Sequence, residues 1–550
     1  MQLSRRSALW RTAPVVFVGL LSFVFLDWSS GVAAFPQRGA TVTPQLPGGT
    51  IPSTGDTSQA PPVAVGQLQL SAERAAAFLE AHDRHLNYLP GEVLIRFRPG
   101  VTPDQQQRAL DAALRSRPSV AGLRWVSTDL ALLRDVTQPD SHVLAQQLAE
   151  QPEVQSAVPN YIRHRPIVQR RALATTDAVE HPAGVPNDPW YGLYQWNFAQ
   201  LDMPHAWDIN PGGSSSLIVA TVDTGVTTVN GTFTFPLFTG SAIQNVNLPF
   251  AVSPDITVAH FYRPWDFVFM PGGPVLDFDG HGTHVSSTIA ETTNNAAYLA
   301  GMAYNVQLMP VKVCVGYWEL MIANAQRGQL GFIPVDSGGC ADDAIIEGIH
   351  YATDNGARMI NLSLGGPDPD DELRLAILYA VQRGAFVAMA GGNDYRTGNP
   401  IEFPAAYAPD INGAMSVAAT GKFMERAYYS STGPYIEIAA PGGDDTDSGG
   451  QDQGYIWQVT LYFPDQDPSL VVIPRFDRLQ PIGYEGTSMA TPHVAALAAL
   501  LWSQGVTDPA AIEALIKKTA KDLGPPGRDD MFGYGLIQPR AAIFGLGIIK

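Results

Sequence analysis

The chain has 550 residues, 45% of them apolar and 16% charged, with a net charge of −18. That length exceeds one ordinary domain, so two or more units are expected. Arg slightly outnumbers Asp and Glu before residue 170, so the acidity lies in the rest of the chain and argues against a nucleic-acid partner.

Arg5, Arg6 and Arg11 form a basic start, residues 13–26 are an apolar run, and Val32-Ala33-Ala34 supplies small residues for cleavage. This pattern predicts an export signal over 1–34 and a secreted, extracellular or periplasmic product. The run is short for a membrane span, so no stable membrane anchor is expected, an uncleaved anchor being the alternative. Ser4-Arg5-Arg6 also fits twin-arginine export, but Ala8 stands where that signal prefers an aromatic, and the route stays open. Residues 35–86 read as a Pro/Gly/Ser-rich linker with a short helix over 71–81.

A compact unit is expected over 87–166. It has a strand over 93–97 ended by Pro99-Gly100, and a helix over 103–114 with Asp104 in its first turn. A strand over 130–133, a helix over 141–151 capped by Ser141 or Asp140, and a strand over 157–161 follow. The order β-α-β-α-β suits a small open-faced α+β sandwich. A linker is expected over 167–186. From 187 to 550, apolar strands alternate with helices, which predicts an α/β fold with a doubly wound, mainly parallel sheet covered on both faces. Strands are expected over 217–222, 359–362 and 385–390, and helices over 282–291, 341–355, 371–383, 488–504 and 509–519. The chain stops soon after, so no large C-terminal domain is expected.

Three segments bear chemistry. Asp223, in Val222-Asp223-Thr224-Gly225, ends a buried strand, and Gly225 permits a sharp exit. His281 opens a helix in His281-Gly282-Thr283-His284-Val285. Ser488, in Gly486-Thr487-Ser488-Met489-Ala490-Thr491-Pro492-His493, opens a helix that is small and apolar on every side and so belongs in a core. Pro492 is expected near the first turn, where backbone donors lack helical partners. N–H groups at that helix start suit a developing oxyanion. An alcohol nucleophile needs a base, and Ser, His and Asp from three distant segments supply the set.

These segments, in the order Asp, His, Ser, resemble the active-site motifs of the subtilisin family of serine endopeptidases. The resemblance runs from about residue 187 to the C-terminus. It implies an Asp223–His281–Ser488 triad acting through an acyl-enzyme on protein or peptide substrates. Ala390-Gly391-Gly392-Asn393 resembles the family's oxyanion-hole turn, with Asn393 as donor, and Ser363-Leu364-Gly365-Gly366 resembles one wall of its specificity pocket. The 87–166 unit, with Pro159-Asn160-Tyr161 in its closing strand, resembles the inhibitory propeptide, which implies a self-processing zymogen. No cofactor is required for such chemistry; structural calcium is implied by family, with Asp444, Asp445 and Asp447, or Asp368, Asp370 and Asp371, as oxygen donors, though neither run has a diagnostic spacing. A monomer is expected.

Glu402 matches a position near the floor of the family's specificity pocket, and Asp394 follows the oxyanion residue near its rim. Carboxylates there would favour Lys or Arg before the cut bond, with Arg170-Arg171 as an autoprocessing sequence, against a broad preference for large apolar residues. Cys314 and Cys340 are the only cysteines; an exported protein permits their pairing, and two buried thiols are the alternative. Insertions over 227–275, 315–339 and 443–484 either shape the cleft or decorate the surface. His284 and His493 read as packed and hydrogen-bonded. The rival readings are a metal-dependent hydrolase using His281, His284, Asp277 and Asp279, and an inactive binding protein on the same fold.

Overall fold

A computed structural model describes residues 72–114, 122–135, 137–138, 140–165, 169–172, 185–269, 273–334, 337–448, 452–463 and 473–546. The expected export signal over 1–34 and residues 35–71 of the expected linker lie outside the described residues. No helix among the described residues is long and apolar enough to cross a membrane.

The N-terminal unit opens with α1 (Ala72–Asp83). It continues through β1 (Tyr88–Phe97), α2 (Pro103–Leu114), β2 (Gly122–Trp125), β3 (Leu130–Arg134), α3 (Ser141–Ala149) and β4 (Val154–Arg163). The strands form an antiparallel sheet in the order β4-β1-β3-β2. Alternation sends Val93, Ile95 and Leu133 to one face, against Leu110 and Leu114 of α2 and Leu144 and Leu148 of α3. Leu94 and Leu132 face the other way, toward Ala75 and Phe78 of α1. Asp140 caps α3, its carboxylate accepting from the Val143 and His142 amides, while the Ser141 hydroxyl donates to the Leu89 carbonyl. Strand β2 was not expected: only four residues long and mostly exposed, it carries no alternating apolar pattern.

The body begins with β5 (Gln169–Ala172), α4 (Tyr191–Tyr194), α5 (Trp196–Gln200), α6 (Met203–Trp207), β6 (Ile218–Asp223), β7 (Gly231–Phe238), β8 (Ile243–Phe250) and β9 (Trp265–Asp266). Then come α7 (His281–Ala290), β10 (Gln307–Lys312), β11 (Cys314–Val315), α8 (Tyr317–Gln326), β12 (Gly339–Ala341), α9 (Asp342–Asp354), β13 (Met359–Leu362), α10 (Asp371–Gln382) and β14 (Phe386–Ala390). The remainder is β15 (Ala414–Thr420), β16 (Ile438–Pro441), β17 (Ile456–Leu461), β18 (Leu479–Glu485), α11 (Thr487–Ser503), α12 (Pro509–Thr519) and α13 (Pro539–Ile543).

A parallel sheet in the order β16-β15-β14-β13-β6-β10-β9 forms the centre. Along β6, Ala220 and Val222 join one core with Ile345 of α9 and Leu373 of α10, while Val219 joins the other with Val494 and Leu497 of α11. Both faces are therefore covered, as a run of apolar residues without alternation demands. β4 also pairs with β12, so the N-terminal sheet extends into the body as β11-β12-β4-β1-β3-β2. Residues 169–172, inside the expected linker, form β5, antiparallel to β18.

The three insertions pack together rather than standing apart. Phe250 of the β7–β8 hairpin stacks on Phe476 with centroids 4.6 Å apart, and Phe278 closes edge-on at 4.9 Å from Phe250. α8 lies against β7 and α1. The β17–β18 pair covers α7.

Candidate active site

The seat of His281 is set by two glycines. Gly225 leaves β6 with φ +92°, a left-handed value that glycine adopts without steric cost. Gly282 lies so close that a Cβ on it would sit 2.3 Å from the Gly225 carbonyl oxygen. α7 can therefore rest on the turn after Asp223, and His281 Nδ1 lies 2.7 Å from Asp223 Oδ1, both side chains fully buried. The Thr224 amide donates to the same oxygen at 2.7 Å. With Nδ1–H facing a carboxylate, Nε2 is left as the acceptor. Nε2 is buried without a hydrogen-bond partner among the described residues.

Asp277 holds the start of α7. Its Oδ2 accepts from the Thr283 hydroxyl at 2.6 Å and amide at 3.1 Å, and its Oδ1 accepts from the Gly280 amide at 2.9 Å. Burial, then the neighbouring Asp279, pushes the Asp277 carboxyl upward, and Lys312 opposes that. These bonds occupy Asp277 and leave it unsuited to the metal reading. Lys312, opposite Asp223 in the sheet, donates to the Thr224 carbonyl at 2.6 Å and pairs with Glu319 of α8 at 2.6 Å. All of this pair is buried; burial pulls the ammonium down, but Glu319, Asp266 and Asp277 outweigh it and raise it. Burial pushes Glu319 up to about 7, against the pull of Lys312. Sequence reasoning missed the parts that Asp277, Lys312 and Glu319 play in holding the site. An Asp four residues before a helix-opening His was a readable signal for Asp277; nothing local linked Glu319 to Lys312.

α11 begins at Thr487 and places Ser488 at its N-terminal turn. Pro492 is the sixth helical residue, beyond the four with free donors, so the expectation about it needs correction. Its missing N–H orphans the Ser488 carbonyl, and the Ser363 hydroxyl donates to that carbonyl at 2.8 Å. Ser363 in turn accepts from Asn361 Nδ2 at 2.9 Å. The Ser488 hydroxyl donates to the Ser363 carbonyl at 3.2 Å. Val285, one turn past His281, and Met489, next to Ser488, share one buried cluster, so the two helix starts adjoin. Asn393 Oδ1 accepts from the Thr487 hydroxyl at 2.8 Å and amide at 2.9 Å, which fixes the amide plane beside the helix N-terminus.

Ser363, Leu364, Gly365 and Gly366 run beside Phe403, with Gly366 and Phe403 bridged. Glu402 is 4% exposed, between Gly365 and Gly392: Cβ atoms there would lie 3.2 Å from its Oε2 and 2.3 Å from its Cγ. Burial first, then the Asp394 charge and a hydrogen bond to Asp394, push Glu402 up to about 8. Ala390 ends β14, and the Gly391 carbonyl accepts from the Tyr435 hydroxyl at 3.0 Å.

His284 Nε2 is within 3.1 Å and 3.2 Å of the Ile456 and Ile482 carbonyls and stacks on Tyr484. His493 lies between the Met489 carbonyl and Asn197, and burial lowers it to about 4, so it is neutral at pH 7. Cys314 and Cys340 face each other across β11–β12 and are joined as a disulfide. Of the acidic runs, Asp444 and Asp445 meet Glu485 within 4.8 Å. Asp444 accepts from Thr446 and the Tyr428 amide, and Glu485 from Tyr428 Oη and the Asp445 amide. Asp444 and Asp445 of the expected run thus join Glu485 in a group able to hold a cation, and the Asp447 side chain lies outside the described residues. Asp370 caps α10.

A buried carboxylate–imidazole pair and a serine at an adjoining helix start, at one end of a doubly wound sheet, define an α/β serine hydrolase. Residues 214–535 match the model of the Subtilase family. The chain is 29% identical over 483 residues to the Thermophilic serine proteinase of Bacillus sp. (strain AK1), covering 88% of this chain and 92% of that one. It is 30% identical over 342 residues to Thermitase of Thermoactinomyces vulgaris, covering 62% and 94%. Fervidolysin from Fervidobacterium pennivorans, a keratinolytic enzyme related to subtilisin, shares the fold with a TM-score of 0.56 at 21% identity, covering 83% of this chain and 61% of that one. The chain belongs to the subtilase family and is a serine endopeptidase.

Proposed function

We propose that Asp223, His281 and Ser488 form the catalytic triad of a secreted, self-processing endopeptidase. The buried 2.7 Å contact between His281 Nδ1 and Asp223 carries this reading, because it leaves Nε2 as a base at the end of α7. Ser488 Oγ attacks the scissile carbonyl as Nε2 takes its proton. The imidazolium, stabilised by Asp223, then protonates the leaving amine, and water repeats the cycle on the acyl-enzyme. Asn393 Nδ2 and the Ser488 amide donate to the oxyanion. The substrates are proteins and peptides.

The 87–166 unit acts as an intramolecular inhibitor. In support, β4 runs on from Arg163 to His164, which exchanges backbone hydrogen bonds with Gly365 at 2.8 Å and 3.0 Å. The N-terminal basic start and apolar run support export. Ser488→Ala should abolish peptide hydrolysis and leave the full-length precursor uncut in a folded state. Residual processing in that variant, with no contaminating protease, would remove Ser488 from the mechanism.

A further inference from the structure

The tail of the N-terminal unit lies between two strands of the body. Ile162 and Arg163 pair with Ala341 and Cys340 on one side, and His164 pairs with Gly365 on the other. Antiparallel pairing with Gly365 directs the chain toward Ser363, whose carbonyl accepts the Ser488 hydroxyl. Residues 162–165 therefore enter the cleft ahead of the nucleophile, as the N-terminal side of a substrate does.

Two arginines of this tail meet carboxylates of the body. Arg163 is fully buried, and its fork binds both oxygens of Asp342, Nε at 2.7 Å and the second nitrogen at 2.5 Å. Its remaining nitrogen donates to the Asp368 carbonyl at 2.5 Å. Asp370 stands beside Asp342; burial, then the Asp342 charge, pushes its carboxyl well above the usual range. The pocket thus holds two acids for one guanidinium. Arg165 pairs with Asp279 at 2.9 Å, two residues before His281, and donates to the Val315 carbonyl at 3.2 Å. Those side chains are 12% and 13% exposed, so this is a rim pair rather than an enclosed one.

The carboxylates of Asp279, Asp342 and Asp370 belong to the body and stay when the tail leaves. The vacated sites present these carboxylates with their guanidinium partners gone, so a substrate that restores the ion pairs is favoured over one that desolvates the carboxylates without a cation. We propose that these carboxylates are two specificity subsites, selecting substrates with arginine at two positions one residue apart on the N-terminal side of the cut bond. The closed site takes Arg in preference to Lys, because only the planar fork reaches both Asp342 oxygens at once. This rests on the assignment of Ser488 as nucleophile and on the tail occupying the substrate cleft.

The test uses enzyme matured from the full chain and titrated with a fluorophosphonate. Its substrates are fluorogenic peptides with the sequence of residues 160–172, unsubstituted or with Arg163→Ala, Arg163→Lys or Arg165→Ala. Truncating one partner of a buried charge pair predicts a fall in kcat/KM of about 30-fold or more for Arg163→Ala. Arg163→Lys should fall less, and Arg165→Ala by about tenfold or less, given its rim position. In Asp342→Asn enzyme the ratio between unsubstituted and Arg163→Ala peptides should shrink toward one; if that variant does not fold, the peptide series on unaltered enzyme decides. Equal cleavage of the two peptides by titrated enzyme overturns the subsites and leaves the nucleophile standing. Absence of both labelling and cleavage overturns the nucleophile, and the subsites with it.

Discussion

Gly282→Ala tests how the site is held. The added Cβ would lie 2.3 Å from the Gly225 carbonyl oxygen and 3.0 Å from the Gly225 nitrogen, against 3.4 Å for ordinary contact. Backbone faces backbone, so no side chain can swing aside. α7 must back away by about 1 Å, and it carries His281 with it. The 2.7 Å bond to Asp223 then lengthens out of hydrogen-bond range. A 1 Å misplacement costs on the order of 100-fold in rate, and overpacking costs about 1–3 kcal/mol in stability. Steady-state kinetics beside thermal unfolding separates the two effects: kcat should fall about 100-fold in a protein that still melts cooperatively. A Gly282→Ala enzyme with unchanged kcat would refute the claim that this glycine sets the imidazole–carboxylate distance.

Other expectations are more local. Glu402 is pushed up to about 8 by burial and Asp394, so it is neutral below that pH and charged above it. The preference for Lys or Arg over Leu at that pocket should therefore rise, on the order of tenfold, as pH passes upward through about 8, and stay flat in Glu402→Gln. Asp394, Arg163, Asp368 and Tyr435 also face Glu402, so the same profile in Asp394→Asn checks the cause. Replacing Cys314 and Cys340 by Ala should cost about 3 kcal/mol by chain entropy, read as a lower denaturant midpoint under non-reducing conditions; an unchanged midpoint would show that the bond adds nothing. Lys312→Met leaves Glu319 buried without its cation and should destabilise by about 3 kcal/mol. Without Lys312 to lower it, the Glu319 carboxyl of the variant takes up its proton above about 7, so the deficit should shrink as pH falls toward about 7 and then level off; a pH-independent deficit would contradict the pairing.

The parts of the site that local pattern announces were legible. Asp223 closes a continuous apolar strand, and α11 is apolar all round, so both read directly as core elements with polar ends. Helices α2 and α12 coincide with their expected spans, because their ends carry Pro and Asp signals. Strands β15 and β16 were not legible: Ala-rich runs lack the β-branched signature of a strand. β10 carries Pro310 and Lys312, and that lysine is tolerable in a core because Glu319 from an inserted helix pairs with it, with Asp266, Asp277 and the Thr224 carbonyl beside it. The stacking of Phe250 on Phe476 joins two insertions far apart in sequence, and the Arg163–Asp342 pair spans 179 residues. No local window carries such pairings, so they emerge only from the fold. The Pro492 error had the same root: the partner of the orphaned Ser488 carbonyl comes from Ser363, on another strand end.

The most direct measurement is covalent labelling with a fluorophosphonate, followed by mass mapping of the adduct. One adduct is expected, on the peptide containing Ser488, and it should be lost in Ser488→Ala and strongly slowed in His281→Ala. Labelling of another residue, or none in folded and processed enzyme, would contradict the activation of this hydroxyl by the imidazole that Asp223 holds.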